Sequence, residues 1–187
     1  MNTALWYLTR ASALVSLGLL TTSLVLGMVT SGRSAPLAEG RFVRAALHRT
    51  LSLMMVVFVA AHVLTSVIET YVDIGWLSVL VPFSSSYDRF WVGLGTLSLD
   101  LLIAVTVTSI LRQRISHRAW KLVHWTAYAL WPIAAVHGIG ASTADQPLVL
   151  GLVAGCGVAV LSAGVWRLRA VDLDRRHRKL ADLQGWR

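Results

Sequence analysis

Cysteine occurs once in these 187 residues, as Cys156 inside an apolar run. One thiol cannot build a disulfide framework or a Cys-based metal motif, and it leaves the redox compartment open. Acidic side chains are scarce. Nine Asp and Glu stand against seventeen Lys and Arg, giving a formal net charge of +8 and a pI near 10.8. That balance suggests a nucleic-acid partner, but the basic residues lie between apolar segments, where the positive-inside pattern puts them. No Gly-rich dinucleotide fingerprint follows a strand-like run. What the chain has in abundance is hydrocarbon: 56% of its residues are hydrophobic and the mean hydropathy is +0.64. An ordinary soluble domain is excluded, and a membrane protein is indicated.

A helix needs about 20 apolar residues to cross a ~30 Å hydrocarbon core. Five stretches approach or exceed that length, at 4–30, 47–70, 90–111, 120–140 and 148–166. The expected fold class is all-α, an integral membrane bundle of five transmembrane helices. The first stretch is too long, and too weakly basic at its start, for a cleaved signal peptide. Residues 71–89, with Trp76, Pro82, three serines at 84–86 and Asp88, read as a segment lying along the membrane surface. Gly151 and Gly155 form a G-x-x-x-G that predicts close helix packing. A membrane domain over 1–170 is followed by a basic tail at 171–187.

Every Lys and Arg except Arg10 and Arg89 falls in the 33–49 region, the 112–121 loop or the tail. The asymmetry predicts that these face the cytoplasm, with the amino terminus outside and the carboxyl terminus cytoplasmic. Trp6, Trp76 and Trp91 then mark the outer interface, and Trp120, Trp125 and Trp166 the inner one. The second and fourth stretches run parallel, both from inside to outside.

Those two parallel stretches carry four of the six histidines. LHRTLSLMMVVFVAAHVLTSVIET holds His48 and His62, and WKLVHWTAYALWPIAAVHGIG holds His124 and His137. Fourteen residues of helix advance ~21 Å and leave His48 and His62 ~40° apart in azimuth. His48 and His124 fall near the inner end and His62 and His137 near the outer end, making two level pairs. Ionisable groups at membrane depth are expensive and mark function. Two opposed imidazoles suit a six-coordinate haem iron with an axial ligand on each face. Zinc fits less well, because its structural sites want four ligands with Cys or acidic partners close by. The competing structural reading has each histidine bonded to a backbone carbonyl or hydroxyl across a helix interface.

The paired spacings, thirteen residues between His48 and His62 and twelve between His124 and His137, resemble the ferric reductase-like transmembrane domain superfamily. That superfamily includes NADPH oxidases, ferric reductases and the haem subunit of the periplasmic methionine sulfoxide reductase system. The flanking text LVPFSSSYDRFWVGLGTLSLDLLIAVTVTSILR resembles bacterial members, and the resemblance covers roughly residues 47–140. It implies two b-type haems, an inner one on His48 and His124 and an outer one on His62 and His137. It also implies a multi-pass protein of the bacterial plasma membrane that passes single electrons to an outer-face acceptor such as ferric iron or a partner protein. NADPH oxidases carry a flavin and nicotinamide domain after the last span, whereas this chain ends about twenty residues after its fifth. The donor is therefore expected to be a separate flavoprotein or a quinol, bringing flavin or quinone through a partner. Five spans rather than the common six implies that the family's first is the missing one. A quinone-linked haem subunit of a periplasmic oxidoreductase, and a haem-free transporter or scaffold, are the competing functions.

Several residues carry two readings. Arg49, and Arg44 one turn before His48, suit the inner haem's propionates or are ordinary positive-inside charge. Arg10 suits the outer propionates or snorkels to the interface. Asp100, mid-membrane, is a proton relay or a polar contact between spans. Trp131 is an electron relay or core packing. Glu69, Asp73 and Asp145 attract a cationic acceptor or form a solvated rim. His117 and His177 read as solvated. One geometric conflict stands out: thirteen residues of ideal helix place His137 ~140° off the face of His124. Pro132 lies between them, so a kink or an overwound turn is expected there.

Overall fold

The computed structural model describes residues 3–30, 38–69, 74–142 and 147–184. Seven helices and no strand occur among them: α1 (Thr3–Thr30), α2 (Ala38–Ile68), α3 (Leu77–Leu80), α4 (Arg89–Ile110), α5 (His117–Trp125), α6 (Ala127–Gly140) and α7 (Pro147–Gln184). Four helical stretches are long and apolar enough to cross a membrane: Thr3–Val29, Phe42–Ile68, Arg89–Ile110 and Pro147–Asp172. Large apolar side chains are exposed along their outer faces, among them Val57, Ile110, Leu148, Val158 and Leu161. A surface of this kind is stable only against lipid.

The fourth apolar stretch is broken. α5 ends at Trp125 and α6 begins at Ala127, each too short to span by itself. The break is at Thr126, not at Pro132, which sits inside an unbroken α6. Thr126 sends both its backbone N–H (3.0 Å) and its hydroxyl (2.7 Å) to the carbonyl of Val123. The i→i−3 bond tightens the turn to 3₁₀ pitch, which adds rotation per residue. The hydroxyl competes with the helical ladder at that point, as threonine does mid-helix. An overwound turn between His124 and His137 is thus present, six residues before the proline.

α1 is the central post. Leu17, Leu20, Leu24 and Met28 form its buried stripe at helical spacing. They divide the core into three clusters shared with α2, α4, α6 and α7, and Trp131 of α6 touches all three. Polar residues of α1 are satisfied locally: Ser12, Ser16 and Thr21 each donate to the carbonyl four residues earlier. α2 packs along α1, α6 packs along α4, and neither α5 nor α6 packs along α2. α2 and the α5–α6 rod meet instead through the facing histidine pairs. The 74–88 segment does not lie free. It folds onto the start of α4, where Thr96 donates to the carbonyl of buried Ser78 and Phe83 fills the space over Gly93. α7 continues without interruption across residue 170.

Candidate functional site

His48 and His124 face each other with ring centres 6.4 Å apart and planes at 73°. His62 and His137 do the same at 6.4 Å and 69°. The four histidines thus form two cross-helix couples of nearly identical geometry, in the order required by parallel α2 and α5–α6.

Three of the four rings are pinned the same way. His48 Nδ1 donates to the carbonyl of Ser23 (3.0 Å), His62 Nδ1 to that of Thr9 (3.0 Å) and His137 Nδ1 to that of Trp91 (2.7 Å). A carbonyl only accepts, so the proton belongs on Nδ1 and Nε2 keeps its lone pair. That is the tautomer and the support a metal-binding imidazole needs. The carbonyl-bonded reading of these histidines and the ligand reading are therefore compatible, because they use different nitrogens.

Each of these carbonyls lies inside a helix and already serves its own ladder. A second donor can reach it only if the side chain one turn later is small. That residue is Gly27 after Ser23, Gly95 after Trp91 and Ala13 after Thr9. A Cβ at Gly27 would meet His48 Cε1 at 3.4 Å, and one at Gly95 would meet His137 Cε1 at 2.7 Å. The acceptors on α1 are spaced like the histidines on α2, so one antiparallel register aligns both. Ser23 Oγ also bonds Ser52 Oγ at 2.7 Å, which fixes that register. Sequence reading missed Thr9, Ser23, Trp91, Gly27 and Gly95. Their one signal is a small residue four positions after an unremarkable one.

His124 is held differently. Its ring stacks on Trp120 at 4.9 Å and 22°, and its Nδ1 is buried with no acceptor among the described residues. Trp120 Nε1 and two guanidinium nitrogens of Arg44, Nε and Nη2, are likewise buried without acceptors. Arg44 precedes His48 by one turn, and Trp120 precedes His124 by one turn. Both therefore lie on the side of that couple away from His62 and His137. Buried donors without acceptors are rare in proteins, and a guanidinium with two of them one turn from His48 suits an anion.

The other residues singled out in the sequence separate clearly. Arg49 is exposed, whereas Arg44 is half-buried. Arg10 lies over the ring of Trp6 at 4.2 Å, one residue from Thr9, whose carbonyl holds His62. Asp100 is half-buried on α4, and Glu69 is buried just past the end of α2. Trp131 donates from Nε1 to Thr21 Oγ1 at 2.9 Å. Asp73 and Asp145, and the side chain of His177, lie outside the described residues.

The family model of the ferric reductase like transmembrane component matches residues 12–135, more than half of the chain. The chain belongs to that family. The matched stretch includes His48, His62 and His124 and stops two residues short of His137. No curated protein and no solved structure gives a significant match. A ferric reductase-like chain with four apolar spanning helices is a multi-pass membrane protein in contact with lipid, and its family points to membrane electron transfer. Ferric reductase-like domains generally bind haem. Among the described residues no three His, Cys, Asp or Glu converge as a metal site.

Proposed function

We propose that this ferric reductase-like chain is a bacterial plasma-membrane cytochrome of the b type. Two haems are held between α2 and the α5–α6 rod and move single electrons across the bilayer. His48 and His124 hold the inner iron, and His62 and His137 the outer one. The observation that carries this reading is the repetition of one geometry, two imidazole couples at 6.4 Å. An imidazole nitrogen bonds a metal at about 2 Å, and its ring centre lies about 1 Å farther, so two trans imidazoles sit about 6 Å apart. Steep angles between the ring planes are compatible with this, since both planes contain the ligand axis.

The fit extends to the surroundings. Nδ1 bonds to Ser23, Thr9 and Trp91 orient three ligands and leave their Nε2 lone pairs free. Arg44 supplies donors for the inner propionates, and Arg10 serves the outer ones. Arg49, exposed, is reassigned to the cytoplasmic interface. The haem supplies reversible one-electron chemistry when bound. The protein's contribution is to space the two couples ~21 Å apart along α2, and to keep water out with the packed wall around Trp131.

In this reading α5 and α6 together make a fifth crossing, since both couples need the rod to run the full depth beside α2. The basic loops face the cytoplasm, the amino terminus lies outside, and residues 171–187 form a basic cytoplasmic tail. A separate flavoprotein or quinol delivers the electrons, and an outer-face acceptor such as ferric iron or a partner protein takes them. The test is a reduced-minus-oxidised optical spectrum of purified protein with haem quantitation. The expected result is a low-spin b spectrum and two haems per chain. Protein with no Soret band would favour a haem-free transporter or scaffold.

A further inference from the structure

An aromatic column leads from the protein surface to the inner couple. His117, Trp120 and His124 share one face of α5. His117 is exposed, its ring centre is 5.5 Å from that of Trp120 at 30°, and Trp120 stacks on His124 at 4.9 Å and 22°. Arg112, on the turn before α5, lies over the Trp120 ring at 4.5 Å. A cation on that face favours an electron-rich ring. The column's outer end is ringed by charge of one sign. Arg112, Arg114, Arg118 and Lys121 are all exposed, and residues 110–126 contain no Asp or Glu.

Ordinary cytoplasmic charge accounts for basic residues at this depth. It does not account for a π-stack that runs from an exposed histidine to a buried ligand candidate through the middle of the patch. Charge complementarity selects the occupant: a patch without a single acid steers and orients an acidic protein.

We infer that the α4–α5 turn and the outward face of α5 are the docking surface for an acidic one-electron carrier protein, with His117–Trp120–His124 as its contact route to the inner couple. This rests on the proposed role of His48 and His124. The carrier gives up one electron and the acceptor between those histidines gains it; no bond is made or broken. Trp120 is a positioning residue here, since it acts through His124.

The experiment uses the full-length, haem-loaded protein in nanodiscs and, as probe, an acidic flavodoxin in its reduced and oxidised forms. Wild-type protein is expected to bind the flavodoxin with a Kd that rises steeply with salt. Neutralising the patch with R112Q, R118Q and K121Q together raises that Kd at least tenfold and flattens the salt dependence. Trp120→Leu leaves Kd unchanged but slows reduction of the haem by flavodoxin at least tenfold, with the rate expressed per haem retained. Trp120→Phe restores the rate, and reduction by dithionite is the same in all variants. Unchanged flavodoxin affinity in the triple variant would overturn the proposal. So would a loss confined to binding of vesicles rich in phosphatidylglycerol, which would assign the patch to lipid. If wild-type protein holds no haem, the functional reading fails, while the binding measurement still decides whether this surface docks an acidic protein.

Discussion

Gly95 lies so close to His137 that a methyl group on it would stand 2.7 Å from Cε1 and 3.0 Å from both ring nitrogens. The ring cannot retreat without giving up the 2.7 Å bond from Nδ1 to the carbonyl of Trp91. Gly140 admits the Trp91 ring in the same region, so α4 and α6 are locked by two glycines around one histidine. Gly95→Ala should therefore displace His137 and empty the outer site. The expected haem content falls from two per chain toward one, with the protein still folded by circular dichroism. Gly18→Ala is the control, because nothing lies within 4 Å of its would-be methyl. Alanine there should leave haem content unchanged and add up to about 1 kcal/mol of helix stability.

The two couples make a second, independent test. Residues that form one site act as a unit, and losses at separate sites add. His62→Ala and His137→Ala should each remove one haem, and the double variant should remove no more than either single. His48→Ala combined with His62→Ala should remove both. Quantitation of haem against protein in the four variants checks this. Additive loss between His62 and His137 would show that they do not share a ligand.

Arg44 and Arg49 differ in burial although they lie five residues apart. Arg44→Gln removes a half-buried cation one turn from His48, which would disfavour the less positive, reduced form of an iron held there in the proposed reading. A lowered midpoint potential of one of two components in a redox titration is expected. Arg49→Gln, on the exposed side, should leave both potentials where they were. Equal shifts in the two variants would count against a propionate role for Arg44.

How much of this was legible beforehand depends on what carries the information. The four histidines and their pairing could be read from spacing and from the parallel run of their two stretches, because a 3.6-residue period converts sequence distance into depth and azimuth. The conflict between that period and the His124–His137 spacing was legible too. Its resolution was not, since the tightened turn lies at Thr126, whose N–H and hydroxyl both reach the Val123 carbonyl, while the residue that draws the eye, Pro132, sits inside an unbroken α6. The backbone acceptors could not be read at all. A carbonyl has no sequence identity, and the openings at Gly27 and Gly95 become visible only once α1 and α4 are placed beside their histidines. Arg49 and Arg44 were indistinguishable in sequence, because both lie within a turn of His48. Only the rotation of α2 against α1 separates the buried one from the exposed one.

Trp131 is where packing and polarity meet. Its ring touches all three core clusters, and its Nε1 donates to Thr21 Oγ1, whose own hydroxyl hydrogen goes to the carbonyl of Leu17. In lipid the alternative to that bond is an unsatisfied indole N–H, yet interhelical bonds of this kind contribute only about 0.6–1.7 kcal/mol. Trp131→Phe should cost about 1 kcal/mol, and Thr21→Val a similar amount. Together they should cost less than the sum, because either change alone already breaks the bond. Trp131→Ala removes the shared wall of three clusters and should cost about 3–5 kcal/mol. Equilibrium unfolding in detergent measures all four variants. A phenylalanine as damaging as alanine would shift the weight from the ring's bulk to its single polar atom, and would leave the insulating wall between the two couples without its structural basis.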